Sequence, residues 1–132
     1  MRAKEFLNRA YKLNVEIEEL TQEKERLFTS ITKTVSSLGS EVVSGTKDPH
    51  KFDTYANYGA EIDARVEKLI GIKREIKSVI YKVNDTKLRA LLLARYINFK
   101  TFEQIAVDMS YDWRHIMRLH KEALQTVEQI LS

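Results

Sequence analysis

The chain has 132 residues, of which 43% are hydrophobic and 31% are charged, and its net charge of +3 makes it mildly basic. One proline, four glycines and no cysteine favour an all-α fold and exclude disulfides, a thiolate nucleophile and a cysteine-ligated metal. The sequence shows no long apolar run and no signal-peptide pattern, so we expect a cytoplasmic protein with no membrane segment.

The first predicted element is a helix from Arg2 to about Leu38. Its apolar residues alternate in steps of four and three, which is the a/d spacing of a coiled coil. A helix of this length extends about 55 Å. The apolar residues of this stripe are Phe6, Ala10, Leu13, Ile17, Leu20, Leu27, Ile31 and Leu38, with Lys24 in the same register.

A loop is predicted over residues 39–53, because this stretch contains two glycines and the only proline. A second helix is then expected to begin with Asp53 or Thr54 as its N-cap and to continue to about Val83. Its apolar stripe consists of Tyr55, Tyr58, Ile62, Val66, Leu69, Ile72, Ile76, Ile80 and Val83.

Two long helices joined by one loop predict an antiparallel, coiled-coil-like helical hairpin over residues 1–83. A pair of helices leaves apolar surface uncovered, and Ile70, Val79 and Tyr81 lie beyond the main stripe. Exposed patches of this kind usually bind a partner. We therefore expect a symmetric homodimer through the N-terminal helices.

Residues 84–132 are predicted to form a second domain of three helices. Polar residues with the chemistry of helix N-caps precede each apolar pattern. These residues are Asn84 or Asp85 for the first helix, Thr101 with Gln104 for the second, and Asp112 for the third, which continues toward Leu131.

The spacing between Phe102 and Lys121 is typical of a helix-turn-helix. Such a motif needs a small residue where its two helices cross, and Ala106 occupies that position. The turn carries Ser110 where glycine is favoured, so a positive φ angle would strain the backbone there. The apolar residues expected to face the shared core are Phe102, Ile105, Met109, Tyr111, Ile116 and Leu119.

The last helix then presents an outward face that suits a DNA major groove. Arginine, lysine and histidine donate to guanine or to phosphate, and tryptophan or methionine can contact thymine methyl groups and sugars. The alternative is a solvated helix face with a partly buried Trp113. His115 and His120, five residues apart, share no helix face for zinc, and we expect both at the surface. The outward residues are Trp113, Arg114, Met117, Arg118 and Lys121, with His115 on the flank.

The stretch TFEQIAVDMSYDWRHIMRLHKEALQ resembles region four of bacterial sigma factors. The matching residues are Thr101, Glu103, Ile105, Ile116 and Ala123-Leu124. The chain also resembles small phage-encoded sigma-like regulators, which activate late genes in phages and prophages of Gram-positive bacteria. That resemblance is carried by Arg95-Tyr96, Thr101 to Ala106, and His115 to His120.

These resemblances imply a transcription regulator that binds double-stranded DNA in the cytoplasm of a bacterial host. They leave open whether it also contacts RNA polymerase. They place Trp113, Arg114, His115, Met117 and Arg118 at base- or phosphate-contacting positions, and Thr101 at a phosphate. Nothing in residues 1–83 is typical of a promoter-melting region, so an activator or partial sigma factor is expected rather than an autonomous sigma factor.

A rival interpretation is a coiled-coil scaffold or adaptor whose C-terminal unit binds protein. An enzyme is not expected under either interpretation, and no cofactor is expected. The sequence has no cysteine, no glycine loop to hold a phosphate, and no histidine–carboxylate set at one place.

Overall fold

A computed structural model describes residues 2–38 and 49–132, with side chains for residues 2–33 and 50–132. All regular structure in these ranges is helical, which confirms the predicted all-α class. The elements are α1 (Arg2–Leu38), α2 (Pro49–Ile80), α3 (Thr86–Leu92), a π-helical turn (Leu93–Ile97), α4 (Phe102–Met109) and α5 (Trp113–Leu131). Among the described helices, none is long and apolar enough to cross a membrane.

The two long helices differ in how well their ends were predicted. Helix α1 covers the predicted range, but α2 begins at Pro49 and not at Asp53 or Thr54, both of which lie inside it. Proline suits a first helical position, since its φ angle is already helical and its missing N–H would have no partner there. The prediction of a loop is therefore wrong for residues 49–53, while residues 39–48 lie outside the described residues.

The chain packs as two compact units. The core unit comprises residues 1–13 and 69–132, and the arm unit comprises residues 14–68. Packing thus groups the first residues of α1 and the last residues of α2 with the C-terminal helices, whereas the predicted boundary lay between residues 83 and 84. All side chains that are buried in the described parts of the chain belong to the core unit.

The core unit is closed by contacts between the start of α1 and the C-terminal end of the chain. The backbone N–H of Ala3 donates to Glu128 Oε2 at 3.0 Å, so a first-turn donor without a helical partner is satisfied. Leu7, which was not predicted on the α1 stripe, is fully buried, whereas Phe6 is only half-buried. Val79 was expected to be exposed but is buried, because the end of α2 packs within this unit.

In the arm unit, the segments of α1 and α2 run antiparallel. Glu16 Oε2 lies 3.8 Å from Arg65 Nε, and further along α1 the Phe28 ring lies 5.9 Å from the earlier Tyr55 ring. The side chains along the seam between the two segments are at most half-buried. Val66 was predicted on this seam but is exposed. The half-buried apolar and aromatic residues of the seam are Ile17, Leu20, Leu27, Ile31, Tyr55, Tyr58 and Ile62.

Candidate nucleic-acid interface

Side-chain caps define where the last three helices begin. Thr101 Oγ1 accepts from the Gln104 N–H at 3.2 Å, and Gln104 Oε1 accepts from the Thr101 N–H at 3.1 Å. This is the predicted capping box. Asp112 caps α5 by accepting from the His115 N–H at 2.8 Å, and Asp85, rather than Asn84, caps α3. Thr101 remains exposed at the start of α4.

The turn between α4 and α5 has the strained backbone that the sequence suggested. Ser110 has φ 58° and ψ 40°, in the left-handed region. The next residue, Tyr111, donates its N–H to the Ala106 carbonyl at 3.0 Å, which closes the end of α4. Ala106 is almost fully buried. A small side chain at this position allows the close approach of α4 and α5.

Beneath this turn lies a small apolar cluster, which fixes the orientation of α5. Its buried members are Leu91, Ile105, Ala106 and Ile116, and the partly buried residues packed against them are Ala94, Phe102, Met109, Tyr111, Met117 and Leu119. All six apolar positions of the predicted frame belong to it. Met117 was predicted to point outward, but it packs partly on this cluster, because a long thioether side chain can cover core atoms from a bordering position.

The opposite face of α5 carries exposed cations beside a recess. The recess has a volume of about 510 Å³ and is lined by Asp112, Trp113, Arg114, Met117 and Arg118. Trp113 is 54% exposed. Its side chain is therefore partly buried, as the alternative interpretation expected, but about half of its surface remains accessible. Within the described residues, Arg114, Arg118 and Lys121 are exposed and take part in no ion pair.

His115 is held flat beside this face. Its imidazole stacks on the Tyr111 ring with centroids 4.2 Å apart and an interplanar angle of 9°. His115 is half-buried, and one face of its ring packs on Tyr111. A histidine in this position can donate one ring N–H to an acceptor without further rearrangement.

His120 was expected at the surface but is half-buried against two aromatic rings. Its Nε2 lies 2.6 Å from the Tyr96 hydroxyl, and its ring lies 4.8 Å from the Phe102 ring. Burial, with the charges of Arg95 and Lys4, lowers the pKa of His120 to about 4. Burial also raises the pKa of Tyr96 to about 12. At neutral pH the phenol therefore keeps its proton and can donate it to the neutral imidazole.

Sequence reasoning missed this contact and a second one beside it. Arg95 lies 4.3 Å above the Phe102 ring and donates from Nη1 to the Lys100 carbonyl at 3.0 Å. Both contacts join residues of the Arg95-Tyr96 pair to α4 and α5. One indication of these contacts was present in the sequence, since the side chains that form them lie in the motifs that resemble phage-encoded regulators. No spacing rule relates Tyr96 to His120, which are 24 positions apart.

In the described ranges, no group of three or more His, Asp or Glu side chains is arranged to hold a metal ion.

The chain matches the model of one protein family, DUF1492, over residues 33–128, and this family is described as a protein of unknown function. No curated protein and no solved structure matches the chain.

Proposed function

We propose that this chain, which belongs to the DUF1492 family, is a phage or prophage transcription regulator that binds duplex DNA through α4 and α5. In this proposal the two helices form a helix-turn-helix, with α5 in the major groove. The sigma-like motifs support the regulatory role, and activation of late genes is the expected outcome. Its site of action is the cytoplasm of the bacterial host.

The observation that carries the proposal is the outward face of α5. An exposed half of a tryptophan side chain and three cations without ion-pair partners among the described residues lie on a helix whose other face buries Ile116, Ala123 and Val127. A solvated helix face gains nothing from an exposed indole. A DNA groove offers it sugars and thymine methyl groups, while the cations meet guanine edges and phosphates.

The start of α4 supplies a second kind of contact. The Thr101 hydroxyl oxygen is used as a cap acceptor, but its hydrogen remains available to donate. Phosphates commonly bind at helix N-termini, where unpaired backbone N–H groups and the helix dipole favour negative charge. Thr101 therefore suits a backbone phosphate while α5 contacts bases.

The test is selection of binding sites from random duplex DNA, followed by titration of variants against the selected site. Arg118→Ala should cost about 1–3 kcal/mol and relax the preference at one base pair if Arg118 reads a base. Arg114→Ala should weaken all sequences alike if it meets phosphate. Lys68→Ala removes one exposed lysine of α2 and serves as the matched control. Failure to enrich any sequence, or unchanged affinity in both arginine variants, would contradict the proposal.

The proposal includes a homodimer formed through the arm unit. Phe28 and Phe52 are 54% and 53% exposed there, and single helix-turn-helix modules commonly act in pairs on two half-sites. Light scattering at micromolar concentration should give twice the chain mass, and Phe28→Glu with Phe52→Glu should halve it. A monomer mass for the unmodified chain would contradict the dimer and favour the same residues as a contact for RNA polymerase.

The exposed aromatic residues also favour the second candidate, a non-enzymatic scaffold or adaptor. The two functions differ in which variants weaken activity. Arg118→Ala should weaken promoter activation by a DNA-binding regulator while leaving the activity of a scaffold unchanged. Phe28→Glu should affect a scaffold more severely than Arg118→Ala.

A further inference from the structure

We propose that Lys87 binds the DNA backbone beside His115, and that Tyr111 is the residue that positions both. This inference rests on the proposed function and extends the DNA-binding surface beyond α5, onto the start of α3. It assigns a role to two residues that were not among the predicted contacts. It also explains why a tyrosine occupies the turn before α5.

The three side chains form one continuous array. Lys87 Nζ lies 5.8 Å from the centroid of the Tyr111 ring, and the same ring stacks on His115. Tyr111 itself packs against the buried cluster of Leu91, Ile105, Ala106 and Ile116. The ring is therefore held by the core, and it links an ammonium group to an imidazole.

The Lys87 ammonium is available to a ligand. The residue is exposed and forms no ion pair within the described parts of the chain. A cation–π contact at an exposed site stabilises by only about 0.5–1 kcal/mol. It therefore orients the amine and leaves its positive charge able to bind a phosphate. The nearby carboxylate of Asp85 already accepts backbone N–H groups from Lys87 and Leu88 as the cap of α3.

The location of the array suits phosphate rather than bases. In a helix-turn-helix complex the N-terminal residues of the second helix contact base edges. The turn that precedes this helix then lies where the sugar-phosphate backbone borders the groove. Tyr111 is in that turn, so the groups on either side of its ring meet the backbone. Asp112 contributes a negative charge at the same end of α5, which makes an additional lysine there important for binding.

The experiment measures how salt weakens binding to a labelled random-sequence duplex of about two helical turns. Each phosphate contact contributes about 0.9 to the slope of log K against log[salt]. Lys87→Ala should therefore lower the slope by about 0.9, whereas Lys68→Ala should leave it unchanged. Tyr111→Phe keeps the ring and should keep the slope. Tyr111→Leu keeps apolar volume but loses the ring, and it should lower both the slope and the affinity.

The outcomes separate this inference from the proposed function. If Arg114→Ala lowers the slope and Lys87→Ala does not, the inference is overturned and the DNA-binding function stands. If the unmodified chain binds no duplex even at low salt, the function fails and the inference fails with it. A lowered slope in Lys87→Ala with an unchanged thermal melting curve supports the inference, since it excludes partial unfolding as the cause.

Discussion

The core unit and the arm unit contain the same kinds of helix but are stabilised differently. Among the described residues of the core unit, nineteen hydrophobic residues are buried, and nine of the larger ones are fully enclosed. In the arm unit, no side chain in residues 14–33 or 50–68 is buried. Its segments of α1 and α2 touch along one half-buried seam, supplemented by surface contacts such as Lys24 Nζ 4.9 Å from the Tyr55 ring.

This difference shows what amphipathic spacing can and cannot achieve. Two helices bring one stripe each into contact and leave their flanks in water, whereas helices that meet from several directions enclose side chains completely. Surface ion pairs such as Glu16 with Arg65 contribute only about 0–1 kcal/mol. The arm unit should therefore be the less stable part of the chain unless its flanks are covered by a second copy.

The largest expected effect compares an isoleucine from each unit. Ile116→Ala leaves a cavity in the enclosed core and should destabilise the core unit by about 2–5 kcal/mol. Ile17→Ala shortens a half-buried side chain, and solvent can fill the space that it leaves. The free energy of unfolding should therefore fall by only about 1 kcal/mol. Urea unfolding followed by Trp113 fluorescence reports the core unit, while circular dichroism reports all helices. Equal losses in the two variants would show that the units do not differ in packing.

A smaller effect is expected from pH, and it is specific to the core unit. His120 has its pKa lowered to about 4 from 6.5. Above pH 6.5 the imidazole is neutral whether the chain is folded or unfolded, so stability does not change. As pH falls from 6.5 to 4, the unfolded chain takes up the proton first and stability is lost. Because the ring is partly exposed, we expect a loss of about 1–2 kcal/mol rather than the full value.

The matched variant for the pH effect is His120→Gln, which cannot titrate in this range. Its stability should fall less between pH 6.5 and 4 than that of the unmodified chain, measured by urea unfolding with Trp113 fluorescence. Carboxylates titrate equally in both proteins and cancel in the comparison. Identical pH profiles would mean that protonation of His120 costs the folded chain no stability, which would contradict the expected effect.

The smallest effect concerns backbone strain at two positions of the core unit. Ser110 and Phe99 have φ angles of 58° and 57°, a region that favours glycine. Ser110→Gly should stabilise the chain by about 0.5 kcal/mol, since relief of strain exceeds the entropy that glycine loses. Phe99→Gly should instead destabilise it, because the Phe99 ring contacts the Tyr11 ring and the Lys73 amine. Thermal melting of the two variants decides the sign of each change.

Much of the fold followed from local sequence signals. Helix α1, the capping box of Thr101 and Gln104, the Asp112 cap and the strained Ser110 all depend on residues within four positions of one another. The same holds for the outward position of Arg114 and Arg118, since helical periodicity decides which residues share a face. The sequence by itself therefore determined α1, the caps of α4 and α5, and the exposed cationic face of α5.

Tertiary structure decided the features that join distant parts of the chain. Burial of Leu7 and Val79 and the contact between Tyr96 and His120 each depend on packing between elements. Spacing within one helix carries no information about which other helix will cover it. The partial burial of Met117 has the same origin, because a side chain at the edge of a stripe packs or projects according to its neighbours. Periodicity specifies which face is apolar, whereas enclosure requires the three-dimensional arrangement of all the helices.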